Sequence, residues 1–149
     1  MSRVFVDTNI LAYARDRRDM HKQRIATAWL AMLARERSGR LSWQVLTEFY
    51  AVAMHPRKLA MVEDAARADV RALQAWNPIG PDAELLETAW SLQTRYGFAW
   101  WDAMIVAAAQ KAGCDTLLSE DMQHGQIIDG KLTVIDPFAT DAPKVTLPP

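Results

Sequence analysis

Residues 4–16 read VFVDTNILAYARD and place a carboxylate between two apolar segments. The first segment predicts a buried strand over Arg3–Asp7, because three apolar residues follow one another there. In the second, apolar residues recur at helical spacing, which predicts a short helix over Asn9–Ala14. Asp7 therefore lies where a buried strand passes into a packed helix. It either caps that helix or belongs to a site.

The remaining sequence alternates helical and strand patterns, and 149 residues are enough for one domain with its own core. Further helices are predicted after Lys22 with an end at Gly39, and over Trp43–Met54, Met61–Trp76, Ala83–Tyr96 and Trp101–Lys111. Further strands are predicted at Arg40–Ser42, Thr116–Ser119 and Leu132–Ile135, with a loop over Glu120–Lys131. Strands separated by helices indicate an α/β fold with a parallel sheet covered on both faces.

Charge is distributed unevenly, although the net charge is only −1. Residues 1–40 hold nine Lys/Arg and four Asp/Glu, whereas the remaining residues hold eight and fourteen. This asymmetry suggests that a polyanion and its chemistry are handled by different parts of one surface. A basic cluster follows the first predicted helix and comprises Arg15, Arg17, Arg18, Lys22 and Arg24. These residues either contact phosphates or form a solvated charged segment.

The lone cysteine, Cys114, excludes a disulfide framework and is expected in the core. No signal peptide is visible, and the longest apolar run, Ala103–Ala109, is too short to cross a bilayer. We therefore expect a cytoplasmic protein with no membrane partner.

Several acidic residues lack a basic residue at helical spacing. Glu48 and Asp102 lie in apolar helical segments, where an unpaired charge is costly. Each acid also has an ordinary explanation. Asp7 or Asp102 could cap a helix, Glu48 could face solvent or pair with a distant arginine such as Arg57, and Asp121 could be a loop residue.

One bound divalent ion would explain all of these acids together. The carboxyl ends of parallel strands share one edge of the sheet, and Asp7 closes one predicted strand whereas residues 119–121 close a later one. Mg²⁺ and Mn²⁺ prefer carboxylate oxygens and water, and suit phosphodiester cleavage by a metal-activated water. Polar neighbours would orient the acids or the water, or serve only as turn and cap residues; these are Thr8, Asn9 and Ser119.

Four segments in order resemble the PIN-domain nucleases, and among them the VapC-like ribonuclease toxins of toxin–antitoxin pairs. They are VFVDTNILAYA (4–14), TEFY (47–50), WWDAMIVAAA (100–109) and LLSEDMQHG (117–125). The resemblance implies a three-layer α/β/α sandwich, which we assign to residues 1–138. The tail, 139–149, has no assigned counterpart in the family, and its sequence predicts a flexible or partner-dependent segment. It assigns catalysis and metal binding to Asp7, Glu48, Asp102 and Asp121, with Thr8, Asn9 and Ser119 in support. Glu120 is left as a possible outer ligand.

The resemblance also implies Mg²⁺- or Mn²⁺-dependent cleavage of structured RNA, of the tRNA or rRNA class, by the toxin of a type II toxin–antitoxin system. A homodimer and a cognate antitoxin that inhibits at the acidic cleft are implied partners. The alternative is a catalytically silent PIN-like module whose acids hold a basic partner segment or a structural metal. A nucleotide-binding fold is disfavoured because the first turn, DTNILA, has no glycine. Three histidines without ligand spacing disfavour zinc.

Overall fold

The computed structural model describes residues 2–148. Its strands are β1 (Val4–Val6), β2 (Gly39–Arg40), β3 (Thr116–Leu118), β4 (Ile127–Ile128) and β5 (Leu132–Ile135). Its helices are α1 (Thr8–Ala14), α2 (Met20–Glu36), α3 (Trp43–Met54), α4 (Glu63–Leu73), α5 (Ala83–Tyr96) and α6 (Trp100–Lys111), with a 3-10 turn at Gln74–Trp76. None of the helices within 2–148 combines the length and the apolar character that crossing a membrane requires.

The strands form one sheet in the order β2-β1-β3-β5-β4. The first four are parallel, which confirms the predicted α/β class. The edge strand β4 runs antiparallel to β5, in a segment that the sequence predicted to be a loop. Its two residues are too few to show an alternating pattern, and Ile127 is exposed whereas Ile128 is buried.

The core is centred on β1 and α6. All three residues of β1 are buried, as are all residues of α6 from Ala103 to Ala109. A helix that is apolar on every side is expected to be buried, and α6 confirms that expectation. Cys114 is buried next to this core, and burial raises the pKa of its thiol to about 12.

Two helices have the bounds that the sequence predicted, because polar caps begin them. The Ser42 hydroxyl accepts a hydrogen bond from the Val45 N–H (3.2 Å) at the start of α3. The Asp82 carboxylate does the same for the Leu85 N–H (2.8 Å) at the start of α5. Such side-chain acceptors satisfy N–H groups that have no partner within the helix.

Gly39 does not end α2, contrary to the prediction. The helix ends at Glu36, and Arg37 takes the left-handed conformation with φ of 55°. Gly39 lies in β2, where the Trp76 ring occupies the space that a Cβ would need. The glycine is therefore required by close packing rather than by a helix terminus.

Residues 139–148 form no regular element but lie against the body of the protein. Ala142 is buried, and Val145 packs against the core. Asp141 lies 3.1 Å from Nε2 of His124. Just before this segment, Phe138 packs edge-on against Tyr13, with ring centroids 5.1 Å apart.

Candidate active site

The four acidic residues that the sequence singled out line one cleft of about 650 Å³. Asp7 directly follows β1, and Asp121 lies three residues after the end of β3, so both reach the cleft from the carboxyl edge of the sheet. Glu48 projects from α3 and Asp102 from the first turn of α6. Residues distant in the chain thus meet at the edge where ligands bind in parallel sheets.

Asp7 is both a helix cap and part of the cleft. One carboxylate oxygen accepts from the Thr8 N–H (2.7 Å), and the other accepts from the Ser119 hydroxyl (2.8 Å). The residue is only 6% exposed, and burial is the main reason that its pKa is raised to about 6. The hydrogen bonds from Ser119 and Thr8 oppose that rise, whereas the nearby charges of Asp121 and Glu48 add to it.

Glu48 is held by two uncharged groups. Its Oε2 accepts from the Thr8 hydroxyl (2.8 Å), and its Oε1 accepts from the Gln44 amide (2.9 Å). It forms no ion pair within the described residues, so the suggested pairing with Arg57 does not occur. Sequence reasoning missed the role of Gln44, although its position one helical turn before Glu48 was a usable signal.

Asp102 is not a helix cap. The N-cap of α6 is Ala99, and Asp102 is the third residue of the helix. Its half-buried carboxylate has no hydrogen bond or ion pair from any described side chain. Burial, followed by the charges of Asp121 and Glu48, raises its pKa. The capping interpretation of Asp102 is therefore wrong, and its carboxylate remains available to the cleft.

Asn9 connects the two strand-end acids. Its side-chain amide donates to Asp121 (3.1 Å) and, more weakly, to Asp7 (3.4 Å). Its side-chain oxygen accepts from the Glu120 N–H (3.2 Å), and the Ser119 hydroxyl accepts from the Asp121 N–H (3.3 Å). The two polar residues Asn9 and Ser119 thus fix the segment that carries Asp121 relative to Asp7.

Glu120 lines the same cleft as Asp121, but its carboxylate is engaged by other side chains. Its carboxylate pairs with the Lys22 ammonium group and accepts from the Tyr13 hydroxyl (2.9 Å). The Lys22 nitrogen also lies 4.6 Å from the Tyr13 ring centroid and 5.2 Å from that of Phe138. The hydrogen bond to Glu120 raises the pKa of Lys22. Sequence reasoning missed both Lys22 and Tyr13 as partners of Glu120, since nothing local links them.

The basic cluster is largely paired with acids of the same chain. Arg15 forms two hydrogen bonds to Asp69 (2.8 and 2.7 Å). Arg18 forms a similar pair with Asp16 (2.9 and 3.0 Å), and Lys22 pairs with Glu120. Among the five cations, those without an ion pair in the described structure are Arg17 and Arg24. The cluster therefore presents less free positive charge than its sequence suggested.

The residue types of the cleft fit a hard divalent cation. Asp7, Glu48, Asp102 and Asp121 offer carboxylate oxygens, and burial, together with the charges of Asp121 and Glu48, raises the pKa of Asp7 and Asp102. Across residues 2–148, however, no three acidic, His or Cys side chains are gathered closely enough to hold one ion between them. Mg²⁺ keeps several waters and commonly binds through one or two carboxylates plus substrate phosphates, so it does not need such a cage.

Comparisons with known proteins agree with this arrangement. The PIN domain family model matches residues 4–127. No curated protein sequence is significantly similar to the chain. A toxin–antitoxin complex from Klebsiella pneumoniae has a similar structure, with 25% identity and a TM-score of 0.64, covering 92% of this chain and 98% of that chain.

Two further structures share the fold at lower identity. One is Mycobacterium tuberculosis VapC20, a Sarcin-Ricin loop cleaving toxin, with 20% identity, a TM-score of 0.57 and coverage of 79% of this chain and 89% of that chain. The other is VapBC2 from Rickettsia felis bound to a DNA fragment from their promoter, with 19% identity, a TM-score of 0.62 and coverage of 88% and 96%. With most of its length matched by the family model and its acids at the carboxyl edge of the sheet, the chain belongs to the PIN domain family.

Proposed function

We propose that the protein is a Mg²⁺- or Mn²⁺-dependent endoribonuclease and the toxin of a type II toxin–antitoxin system. One observation carries the proposal. Asp7, Glu48, Asp102 and Asp121 share a cleft in which no described Lys or Arg pairs with them. Membership of a nuclease family makes phosphodiester hydrolysis the chemistry that suits such a cleft.

The residues around the acids have distinct tasks in this proposal. Thr8 serves two acids, since its N–H orients Asp7 and its hydroxyl orients Glu48. Ser119 holds the second oxygen of Asp7. When bound, the metal ion would supply a water of lowered pKa and neutralise charge on the phosphate. The carboxylates would position that water and accept its proton, and no protein nucleophile would be required.

We propose structured RNA of the tRNA or rRNA class as the substrate. One structural neighbour that supports this choice is a toxin that cleaves the sarcin–ricin loop. The acidic cleft repels phosphates, so substrate binding needs either the metal or nearby cations. Arg17 and Arg24 lie outside the cleft lining, are exposed and carry no ion pair in the described structure, so they are available to phosphates farther along the RNA.

We further infer a cognate antitoxin and a homodimer. Two neighbours are complexes of a toxin with its antitoxin. A basic antitoxin segment would find in this cleft carboxylates that lack a cationic partner, so it would compete with metal and substrate. We assign residues 1–138 to the nuclease domain and leave 139–149 as a tail that a partner could engage. The cytoplasm, where structured RNA is accessible, is the proposed place of action.

Cleavage of total RNA by the purified chain tests the proposal. Activity should require Mg²⁺ or Mn²⁺. In each of three variants of the cleft it should fall by more than roughly 10- to 100-fold, the loss that is typical when a residue that supports a metal ligand is replaced. The variants are Asp7→Asn, Glu48→Gln and Asp102→Asn, and exposed Asp64→Asn on α4 is the matched control. Sequencing the 5′ ends of the products identifies the RNA.

Metal-dependent cleavage at the wild-type rate in all three variants would refute the assignment of the site. Absence of cleavage by the wild type, together with binding of a basic peptide that Asp7→Asn weakens, would favour the catalytically silent module instead. The control variant should cleave at the wild-type rate, because Asp64 lies outside the cleft.

A further inference from the structure

A large aromatic side chain stands exposed at the rim of the acidic cleft. The cleft is lined by two aromatic residues, Tyr13 and Trp101. Tyr13 is half-buried against Phe138 and is engaged with Glu120. Trp101 is 62% exposed, although indole is among the side chains that gain most from burial. Its exposed ring is next to Asp102 in the sequence and lines the cleft, so it is available to a ligand bound there.

The position of Trp101 is fixed relative to the acids. It is the second residue of α6, whose following residues, Ala103–Ala109, are all buried. Its carbonyl oxygen accepts from the Gln44 amide (3.4 Å), and the same amide donates to Glu48 (2.9 Å). The indole is therefore carried by rigid backbone that is tied to the candidate active site.

A free cation lies toward the other end of the cleft. Lys58 lines the cleft together with Leu59 and Val52, and it forms no ion pair within residues 2–148. Along α3, Gln44 and Val52 are eight residues apart, or about 12 Å at the rise of an α-helix. That distance is several times the rise of about 3.4 Å per nucleotide in a stacked strand. The cleft is thus long enough for more than one nucleotide.

We propose that Trp101 stacks on an unpaired RNA base next to the cleaved bond, while Lys58 contacts a flanking phosphate. This inference rests on the proposed nuclease function and specifies its substrate further. The exposed ring of Trp101 lies on one side of the acids and the Lys58 cation on the other. The ring suits the base of a nucleotide, and the cation suits its phosphate. Bases inside a duplex are already stacked, so this arrangement selects loops, bulges or single strands.

Binding in the Asp7→Asn background tests the proposal without cleavage. The probes are a fluorescent single-stranded oligoribonucleotide and the same strand annealed to its complement, both in the presence of Mg²⁺. Trp101→Ala should weaken binding of the single strand by roughly 5- to 150-fold, the range for losing one stacked base. It should change duplex binding far less, and Trp101→Phe should retain most of the affinity because it keeps an aromatic face.

Two further variants separate stacking from charge. Trp90→Ala is the matched control, because Trp90 is 50% exposed but lies outside the cleft, stacked on Trp100. It should bind like the parent. Affinity falls as salt concentration rises, and Lys58→Ala should make the slope of log affinity against log salt concentration less negative by about 0.7, the value for one phosphate contact on a single strand.

Several outcomes would overturn the inference. Parental affinity in Trp101→Ala would do so while leaving the nuclease proposal intact, provided that the wild type cleaves RNA. An equal loss on single strand and duplex would remove the selectivity. A change of oligomeric state in sedimentation velocity, with unchanged RNA affinity, would assign Trp101 to a protein interface. If the parent neither binds nor cleaves RNA, the proposed function fails as well.

Discussion

Replacing Asp7 by Asn should stabilise the fold at neutral pH while abolishing the proposed activity. The carboxylate is buried, and the surrounding side chains supply hydrogen bonds but no cation. At pH 7 the folded protein must therefore keep a charge in a poorly solvated place, beside the like charges of Asp121 and Glu48. An amide of the same shape removes that charge.

The magnitude follows from the pKa of Asp7, about 6 in the folded protein against an ordinary value of 3.8. That difference corresponds to about 3 kcal/mol of destabilisation once the group is ionised in both states. Asn retains an acceptor for the Thr8 N–H, but its NH₂ group replaces the oxygen that accepts from Ser119. Losing that bond offsets about 1 kcal/mol or more. A net gain of about 1–2 kcal/mol remains, which raises Tm by roughly 2–8 °C.

The effect should depend on pH in a defined direction. Because the folded-state pKa of Asp7 is raised, the folded protein binds this proton more tightly than the unfolded chain does. The stability that the protonated Asp7 contributes to the fold is fully present below pH 3.8 and is lost as pH rises through about 6. The advantage of Asp7→Asn should consequently be small near pH 4.5 and largest above pH 7.

Urea unfolding of wild type and Asp7→Asn at pH 4.5 and 7.5 measures the effect, with Asp64→Asn as the exposed control. Millimolar Mg²⁺ at pH 7.5 should stabilise the wild type by ligand linkage, and should stabilise Asp7→Asn less. An Asp7→Asn variant that is no more stable than wild type at pH 7.5, or whose advantage is the same at both pH values, would refute the reasoning.

The remaining predictions concern the supporting contacts. Ser119→Ala should raise the pKa of Asp7 further, so the acidic limb of the pH–rate profile for RNA cleavage should move to higher pH. A double-mutant cycle of Lys22→Met and Glu120→Gln, measured by urea unfolding, should give a coupling energy of about 1 kcal/mol, because the pair is only partly exposed. A coupling energy of zero would contradict a stabilising ion pair. Gly39→Ala should lower the free energy of unfolding by about 1–3 kcal/mol, since its Cβ would overlap an indole ring.

Local chemistry explains why part of the fold could be predicted from the sequence. The bounds of α3 and α5 depend on Ser42 and Asp82, whose capping contacts lie within three residues. Gly97, with φ of 74°, ends α5 through a conformation that glycine adopts without strain. Helix caps and helix ends of this kind are determined by residues close in the sequence, so they can be predicted without tertiary information.

The errors arise where distant residues decide. Gly39 resembles a helix terminus in the sequence, but its role depends on Trp76, 37 positions later. The strand β4 exists because β5 offers an edge, not because its two residues favour a strand. The pairing of Lys22 with Glu120 spans 98 positions. No local pattern specifies such contacts, and tertiary packing overrides the local preference.

The acids of the site could nevertheless be predicted from the sequence, because they lack a basic residue nearby. Glu48 and Asp102 stand out because no basic residue lies at helical spacing, and the structure provides no distant cation for either. Glu120 has no local cation either, yet Lys22 reaches it from a distant part of the chain. A missing local partner therefore identifies candidates, and only the tertiary structure separates the paired acid from the open ones.

The cap role of Asp7 does not by itself explain why this position is an aspartate. Asn, Asp and Ser cap helices about equally well, each contributing about 1 kcal/mol. An asparagine would supply the acceptor for the Thr8 N–H without the cost of about 3 kcal/mol that the raised pKa of Asp7 implies at neutral pH. Stability alone thus favours the amide. The presence of a carboxylate at this junction is explained if its charge binds a ligand. The cap geometry then fixes the position of that charge.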